Sequence, residues 1–204
     1  MKYPVTRFKN MAIALKQLEP FIKNGVHLQS GKPFEKFGDM RSREILANWL
    51  ICATINAVER RELTFTSDPI GSDGIVHDEA TGETWPTEHV MVPRQSGGEE
   101  ADAHALILAA IEQKRTKGGA AYASGKTLVV FLDAGAGEWY PNRVARALPD
   151  PLHFATVWVV GLQKIDDGNY VYGVTNLDVS NGDAPTFLVL INKDFDRWEV
   201  TDLQ

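Results

Sequence analysis

The residues best suited to chemistry lie in the stretch GSDGIVHDEATGETWPTEHVMV, Gly71 to Val92. It reads as two short strands joined by the polar turn EATGE, with Asp73 opening the first strand and Glu88 inside the second. Side chains alternate faces along a strand, so Asp73, Ile75 and His77 share one face, and Glu88 and Val90 share one face of theirs. If the two strands pair as a hairpin, Asp73 and Glu88 point into one cleft. Two carboxylates there suit a hard divalent cation, Mg (or Mn), because magnesium typically takes one or two protein carboxylates and completes its octahedral shell with water and phosphate oxygens. Such an ion polarises a phosphodiester, lowers the pKa of an attacking water and offsets charge on the leaving oxygen. His77 and His89 are candidate general bases, imidazole being the side chain suited to proton transfer near neutral pH. The structural alternative places Asp73 in a Ser-Asp-Gly turn and Glu88 on an exposed edge strand, with both histidines as hydrogen-bonded strand residues.

The elements that must position these groups follow from periodicity. Residues 5–23 predict an amphipathic helix through Phe8, Met11, Ala12, Leu15, Leu18 and Ile22, ending near Gly25. Residues 24–39 read as a loop anchored by Phe34 and Phe37. A second helix runs from Ser42, its expected cap, to about Arg60, burying Leu46, Trp49, Leu50, Ala53 and Val58. ELTFTSD alternates as a strand, Asp68-Pro69 with Gly71 makes a turn, and DGIVHD and TWPTEHVMV are the next two strands. Pro86 marks the last of these as an edge strand or as one that begins at Thr87. PRQSGGEE is a loop, and EEADAHALILAAIEQKRTK is a helix acidic at its start and basic at its end, as its dipole favours. The apolar KTLVVFLDAG is a central strand. GEWYPNRVARAL is a loop with a short helix, and FATVWVVGLQK, NYVYGVTNL, TFLVLIN and RWEVTDL are further strands. The predicted fold is α/β (α+β), a mixed sheet flanked by helices with extra C-terminal strands.

Helix, three strands, helix, strand, with an aspartate opening the second strand and a glutamate in the third, resembles the restriction-endonuclease-like, PD-(D/E)xK, nucleases. Their signature is Pro-Asp, a short gap, then Asp or Glu, any residue, Lys. The resemblance covers roughly residues 40–165 of a chain read as one domain. It implies that Asp73 matches the aspartate, with Ser72 where proline often stands, and that Glu88 matches the acidic residue of the third strand. It also implies that Glu44, on the helix before the strands, is an additional metal ligand. The expected lysine position holds Val90. Some members supply that lysine from a neighbouring element, and Lys114 is the best placed, because the apolar stripe Ala103, Leu106, Ile107, Ala110, Ile111 leads to it. Lys117 and Arg94 are further candidates, and the default for a lysine at the end of such a stripe is to carry its amine to water. The resemblance implies a Mg-dependent nuclease acting on DNA or RNA, or alternatively a catalytically inactive nuclease-fold binding or regulatory protein of a mobile-element or defence system. Many members cut two strands as dimers, and the strand-rich tail after residue 165 offers an edge for a homodimer.

Composition narrows the classes. A chain of 204 residues suffices for one sizeable core, and its net charge of −6 argues against a protein that coats nucleic acid indiscriminately. Local basic clusters remain: Arg41 and Arg43, Arg60 and Arg61, Lys114, Arg115 and Lys117, and Arg143 and Arg146. Trp139 and Tyr140, beside Arg143, are candidates to stack on bases. No apolar run approaches the roughly 18 residues of a membrane span, and the amino terminus lacks a signal-peptide core, so the expected location is cytoplasmic. The one cysteine, Cys52, excludes an internal disulfide and reads as a buried thiol. SGKT, Ser124 to Thr127, lacks the upstream P-loop glycine, Ala120 standing in its place, and opens a strand rather than a helix. Asp133-Ala-Gly-Ala-Gly lacks the small residue of a dinucleotide turn, with Tyr140 at that position, and reads as a loop.

Overall fold

The chain lays its strands down in the order in which they occur. The computed structural model describes residues 8–94, 102–178 and 181–203. Helices α1 (Met11–Lys23), α2 (Val26–Ser30) and α3 (Ser42–Glu59) come first, then strands β1 (Leu63–Thr66), β2 (Gly74–Asp78) and β3 (Thr84–Val92). Helix α4 (Ala103–Ala123) leads to β4 (Thr127–Leu132), and the short α5 (Pro141–Arg146) to β5 (Thr156–Asp166). Strands β6 (Asn169–Leu177), β7 (Thr186–Ile191) and β8 (Trp198–Asp202) finish an eight-stranded sheet in the spatial order β1 to β8, counted among the described residues. β1–β2–β3 is an antiparallel meander, β3, β4 and β5 run parallel, and β5 to β8 are again antiparallel. The two parallel steps need crossovers, and α4 and α5 supply them. The architecture is mixed α/β.

The two faces of the sheet carry separate cores. α1 and α3 cover one face, where Leu15, Leu18, Trp49 and Leu50 meet Phe65, Val129, Tyr172 and Val189. α4 and α5 cover the other, where Ile107, Ile111 and Val144 meet Leu128, Val130 and Val159. β4 is buried at every residue and feeds both cores alternately from Leu128 to Leu132, so that run is apolar.

Several boundaries differ from the sequence reading, each for a local reason. The first helix starts at Met11 because Asn10 caps it, its side-chain oxygen accepting from Ala12 and Ile13 N–H at 3.1 Å each. Residues 5–7 of the expected helix lie outside the described residues. The expected loop over 24–39 contains α2 and a 3-10 turn at Glu35–Phe37, with Phe37 fully buried. The cap of α3 is Arg41 rather than Ser42. Glu44, three residues on, accepts the Arg41 N–H at 2.9 Å, while the Ser42 hydroxyl donates to the His27 carbonyl at 2.9 Å. Val58, expected inside, is 50% exposed, on a last turn of α3 where Ala57 and Glu59 are exposed as well. Pro86 lies within β3, which starts at Thr84 and is interior to the sheet. Pairing with β4 begins only at Thr87, so the flank of Pro86 facing β4 has no ladder to break. Of the loop PRQSGGEE, residues 95–100 lie outside the described residues.

Candidate functional site

Asp73 sits one residue before β2, where that strand departs from β3. Its backbone N–H donates to the Thr87 carbonyl at 3.1 Å, and its Oδ2 accepts the backbone N–H of His89 at 2.7 Å. The carboxylate is thus fixed on the adjoining strand. Gly74 lets α3 come close: a Cβ there would lie 2.5 Å from Asn48 Nδ2 and 2.9 Å from Thr87 Oγ1.

Glu88 points to the α4 face of β3, with its side chain 5% exposed. Lys126, at the entry to β4, donates to Oε1 at 2.8 Å. Lys114 of α4 donates to Oε2 at 3.3 Å, and the Tyr122 hydroxyl donates to the same oxygen. The Lys114 amine also lies 3.8 Å from Asp73 Oδ2, so one ammonium spans both carboxylates. With its side chain only 14% exposed, Lys114 forgoes the usual route to water because two anions lie within reach. Burial, and then the bond to Glu88, pushes the Tyr122 hydroxyl well above the usual phenol range, so it remains a donor.

Tyr122 reaches Glu88 through a break in α4. Gly119 has φ 60° and ψ −159°, a conformation essentially reserved for glycine, and it turns the last residues of the helix. Gly118 then packs so closely that a Cβ on it would lie 2.5 Å from Tyr122 Cβ. The Gly-Gly pair folds Tyr122 back over the helix and carries the chain through Gly125, at φ 73°, to Lys126.

The remaining expected residues fall around this centre. Glu44 is buried and, with Asp73, lines a cleft of about 230 Å³ together with Arg41, Asp68 and Ser72. Its carboxylate is turned to the Arg41 N–H at 2.9 Å and the Arg41 guanidinium at 3.5 Å. Burial raises the Glu44 pKa against the pull of that N–H, and the charge of Asp73 adds to the rise. Asp73, Glu88 and Glu44 do not gather into one three-ligand set, and no group of three or more His, Cys, Asp or Glu arranged to hold a metal ion occurs among the described residues. Asp73 and Glu88 are hard oxygen donors brought to one lysine, which meets the minimum for magnesium. His89 is buried beside them, its Nδ1 3.9 Å from Asp73 Oδ2. Burial, with the Lys114 charge adding, pushes its imidazole down to about 3, so it is neutral. Among the described residues, neither its ring nitrogens nor the side-chain polar atoms of Asn48 and Thr87 have a hydrogen-bond partner. His77 is remote from the pair and stacks on Phe8 with ring centroids 4.2 Å apart. Lys117 and Arg94 are exposed and make no contact with either carboxylate.

A larger cavity, about 590 Å³, opens at the carboxyl end of β4 between the 133–141 loop and strands β5 to β7. Glu88 is level with Leu128 while this cavity starts at Leu132, roughly 13 Å further along at about 3.3 Å per residue. Its buried carboxylate, Asp133, is already bonded to Gln29 and the Ala134 N–H. The concentration of buried charge at Glu88, rather than cavity size, marks the candidate site. Tyr140 is 68% exposed beside this cavity, and Trp139 packs against the α4-side core. The basic clusters are largely helix-end residues, Arg61 pairing with Asp78 and Glu83, and Arg115 with Glu112.

Sequence reading singled out Asp73, Glu88, Glu44 and Lys114 but missed Lys126 and Tyr122. A signal for Lys126 existed: it precedes Leu128 by one pleat, and Leu128 is level with Glu88. Using it required the β3–β4 register, which the GKT segment does not reveal. No helix among the described residues is long and apolar enough to cross a membrane. Neither a protein-family model nor a curated protein matches the chain.

Proposed function

We propose that this protein is a restriction-endonuclease-like nuclease, hydrolysing phosphodiesters of DNA or RNA with Mg or Mn held by Asp73 and Glu88. The observation that carries this reading is the Lys114 amine, 3.3 Å from Glu88 and 3.8 Å from Asp73, in a chain whose third-strand lysine position is Val90. The element order α3–β1–β2–β3–α4–β4 supports it, as does the placing of Asp73 at the opening of β2 and Glu88 within β3. The bound cation would supply charge to the phosphodiester and acidify an attacking water. Lys114, held between the two carboxylates, would offer its ammonium to the charge of the phosphodiester and help orient the nucleophile. Glu44 assists from the cleft, and the Asp73 carboxylate stays in register through the His89 amide. The free edge at β8 is where a homodimer would pair.

A second reading, a nuclease-fold protein that binds without cutting, as in a regulatory subunit of a mobile-element or defence system, is favoured by one observation. Both Glu88 oxygens are already taken by Lys126, Lys114 and Tyr122. Incubation of wild type, Asp73→Ala and Lys114→Met with labelled single- and double-stranded DNA and RNA, with Mg or Mn, separates the two. Metal-dependent cleavage lost in both variants is expected of the nuclease. Binding without cleavage in wild type supports the second reading, and full cleavage by Asp73→Ala would sink the first.

A further inference from the structure

Glu88 is the proposed metal ligand, yet both of its oxygens already accept hydrogen bonds and it does not line the open cleft. Its Oε1 holds the Lys126 amine at 2.8 Å, its Oε2 holds Lys114 and the Tyr122 hydroxyl, and its side chain is 5% exposed. Asp73, by contrast, lines the open cleft. Two of the three groups on Glu88 come from one short segment beyond the Gly118–Gly119 break, and both depend on that break for their direction. Lys126 also lies over the Tyr122 ring, 4.2 Å from its centroid, so the two side chains support one another. A lysine on a flexible stem, 19% exposed and at the rim of the site, is the member that can swing away.

We propose that Lys126 and Tyr122 are positioning residues that close Glu88 to a divalent cation until an anionic ligand draws Lys126 off it. This rests on the metal-dependent reading. The ammonium and the cation compete for the same oxygen, so the free protein binds metal weakly. A phosphate arriving at the partly exposed Lys126 amine offers it a new anion and frees Oε1, which makes metal and phosphate binding mutually reinforcing, as linkage requires. Lys114, shared by both carboxylates, remains to meet the phosphate.

The test is calorimetric titration of Mn into the full-length protein, with no nucleic acid present. Lys126→Met should bind Mn at least tenfold more tightly than wild type, Lys126→Arg should remain as weak as wild type, and Tyr122→Phe, which deletes one oxygen, should give a smaller gain. Adding dimethyl phosphate, a monoanionic phosphodiester, should tighten Mn binding to wild type and leave Lys126→Met unchanged. The inference is overturned if Lys126→Met, shown folded by its melting curve, binds Mn no better than wild type, or if Tyr122→Phe and Lys126→Met both bind less. An Asp73→Ala control distinguishes the two levels. Mn binding that Asp73→Ala abolishes, with no gain on removing Lys126, defeats the closure and leaves the metal site standing. Mn binding that survives Asp73→Ala in every background defeats the metal site itself.

Discussion

Replacing Glu88 with glutamine should destabilise the fold far more than an ordinary surface change. The substitution keeps the shape but strips the charge from the partner of two lysines whose side chains are only 14% and 19% exposed. Breaking a buried pair by removing one partner costs about 3–5 kcal/mol, because the remaining charge stays desolvated. Here Lys126 and Tyr122 would lose their anionic partner and Lys114 would keep only Asp73 at 3.8 Å, so a loss in that range is expected. For a chain of this length it corresponds to a melting temperature lower by roughly 6–20 °C, at about 2–4 °C per kcal/mol. Lys126→Met should cost less, about 1.5 kcal/mol, the low end for a hydrogen bond to a charged group, since Lys114 and Tyr122 still hold Glu88. In the double variant part of the damage should be shared, with a coupling of about 1–3 kcal/mol. Urea unfolding of wild type, both single variants and the double variant, compared at constant slope, measures each quantity. A Glu88→Gln protein within about 0.5 kcal/mol of wild type, the range of changes on an open surface, would refute the reasoning.

Gly119→Ala should destabilise by about 1–3 kcal/mol, since an alanine must adopt φ 60° and ψ −159° or let Tyr122 leave Glu88; an unchanged melting curve would show that the break is dispensable. The Arg61 guanidinium, bonded at 2.6 Å, holds the Asp78 carboxyl below its ordinary value of 3.8. That contribution is therefore complete above pH 3.8 and is lost as pH falls through the lower folded value, so Arg61→Met should weaken the protein at neutral pH and flatten the acid limb of a stability profile. Parallel acid limbs for the two proteins would count against the pairing. Cys52 is fully buried on α3 and burial pushes its thiol up, so Ellman's reagent should label it only after unfolding. Rapid labelling of the native protein would contradict the packing of that helix.

Much of this fold is legible in short windows. The alternation of LTFT and GIVHD, the apolar run TLVVFL and the polar turn EATGE place β1, β2, β4 and the β2–β3 turn within a residue or two. α3 was found from its apolar content, though its cap was not. Ser42 is a good cap by type, but the carbonyl of His27, brought near by tertiary packing, claims its hydroxyl. Pro86 signalled an edge, and it does have a free flank, but which flank depended on where β4 joined. The direction of Lys114 was open on sequence grounds, because the same apolar stripe carries a lysine either to water or to a buried anion.

The sequence by itself determined the carboxylates, one at the mouth of β2 and one within β3, and the helix that carries Lys114, because strand and helix periodicity are local properties of the chain. Only the tertiary structure decided that Lys126 and Tyr122 close over Glu88. That contact depends on the parallel register of β3 and β4 and on the turn at Gly118–Gly119. Register between strands separated by a whole helix is set by how α4 packs on the sheet, a balance of distant contacts that no short window of sequence contains.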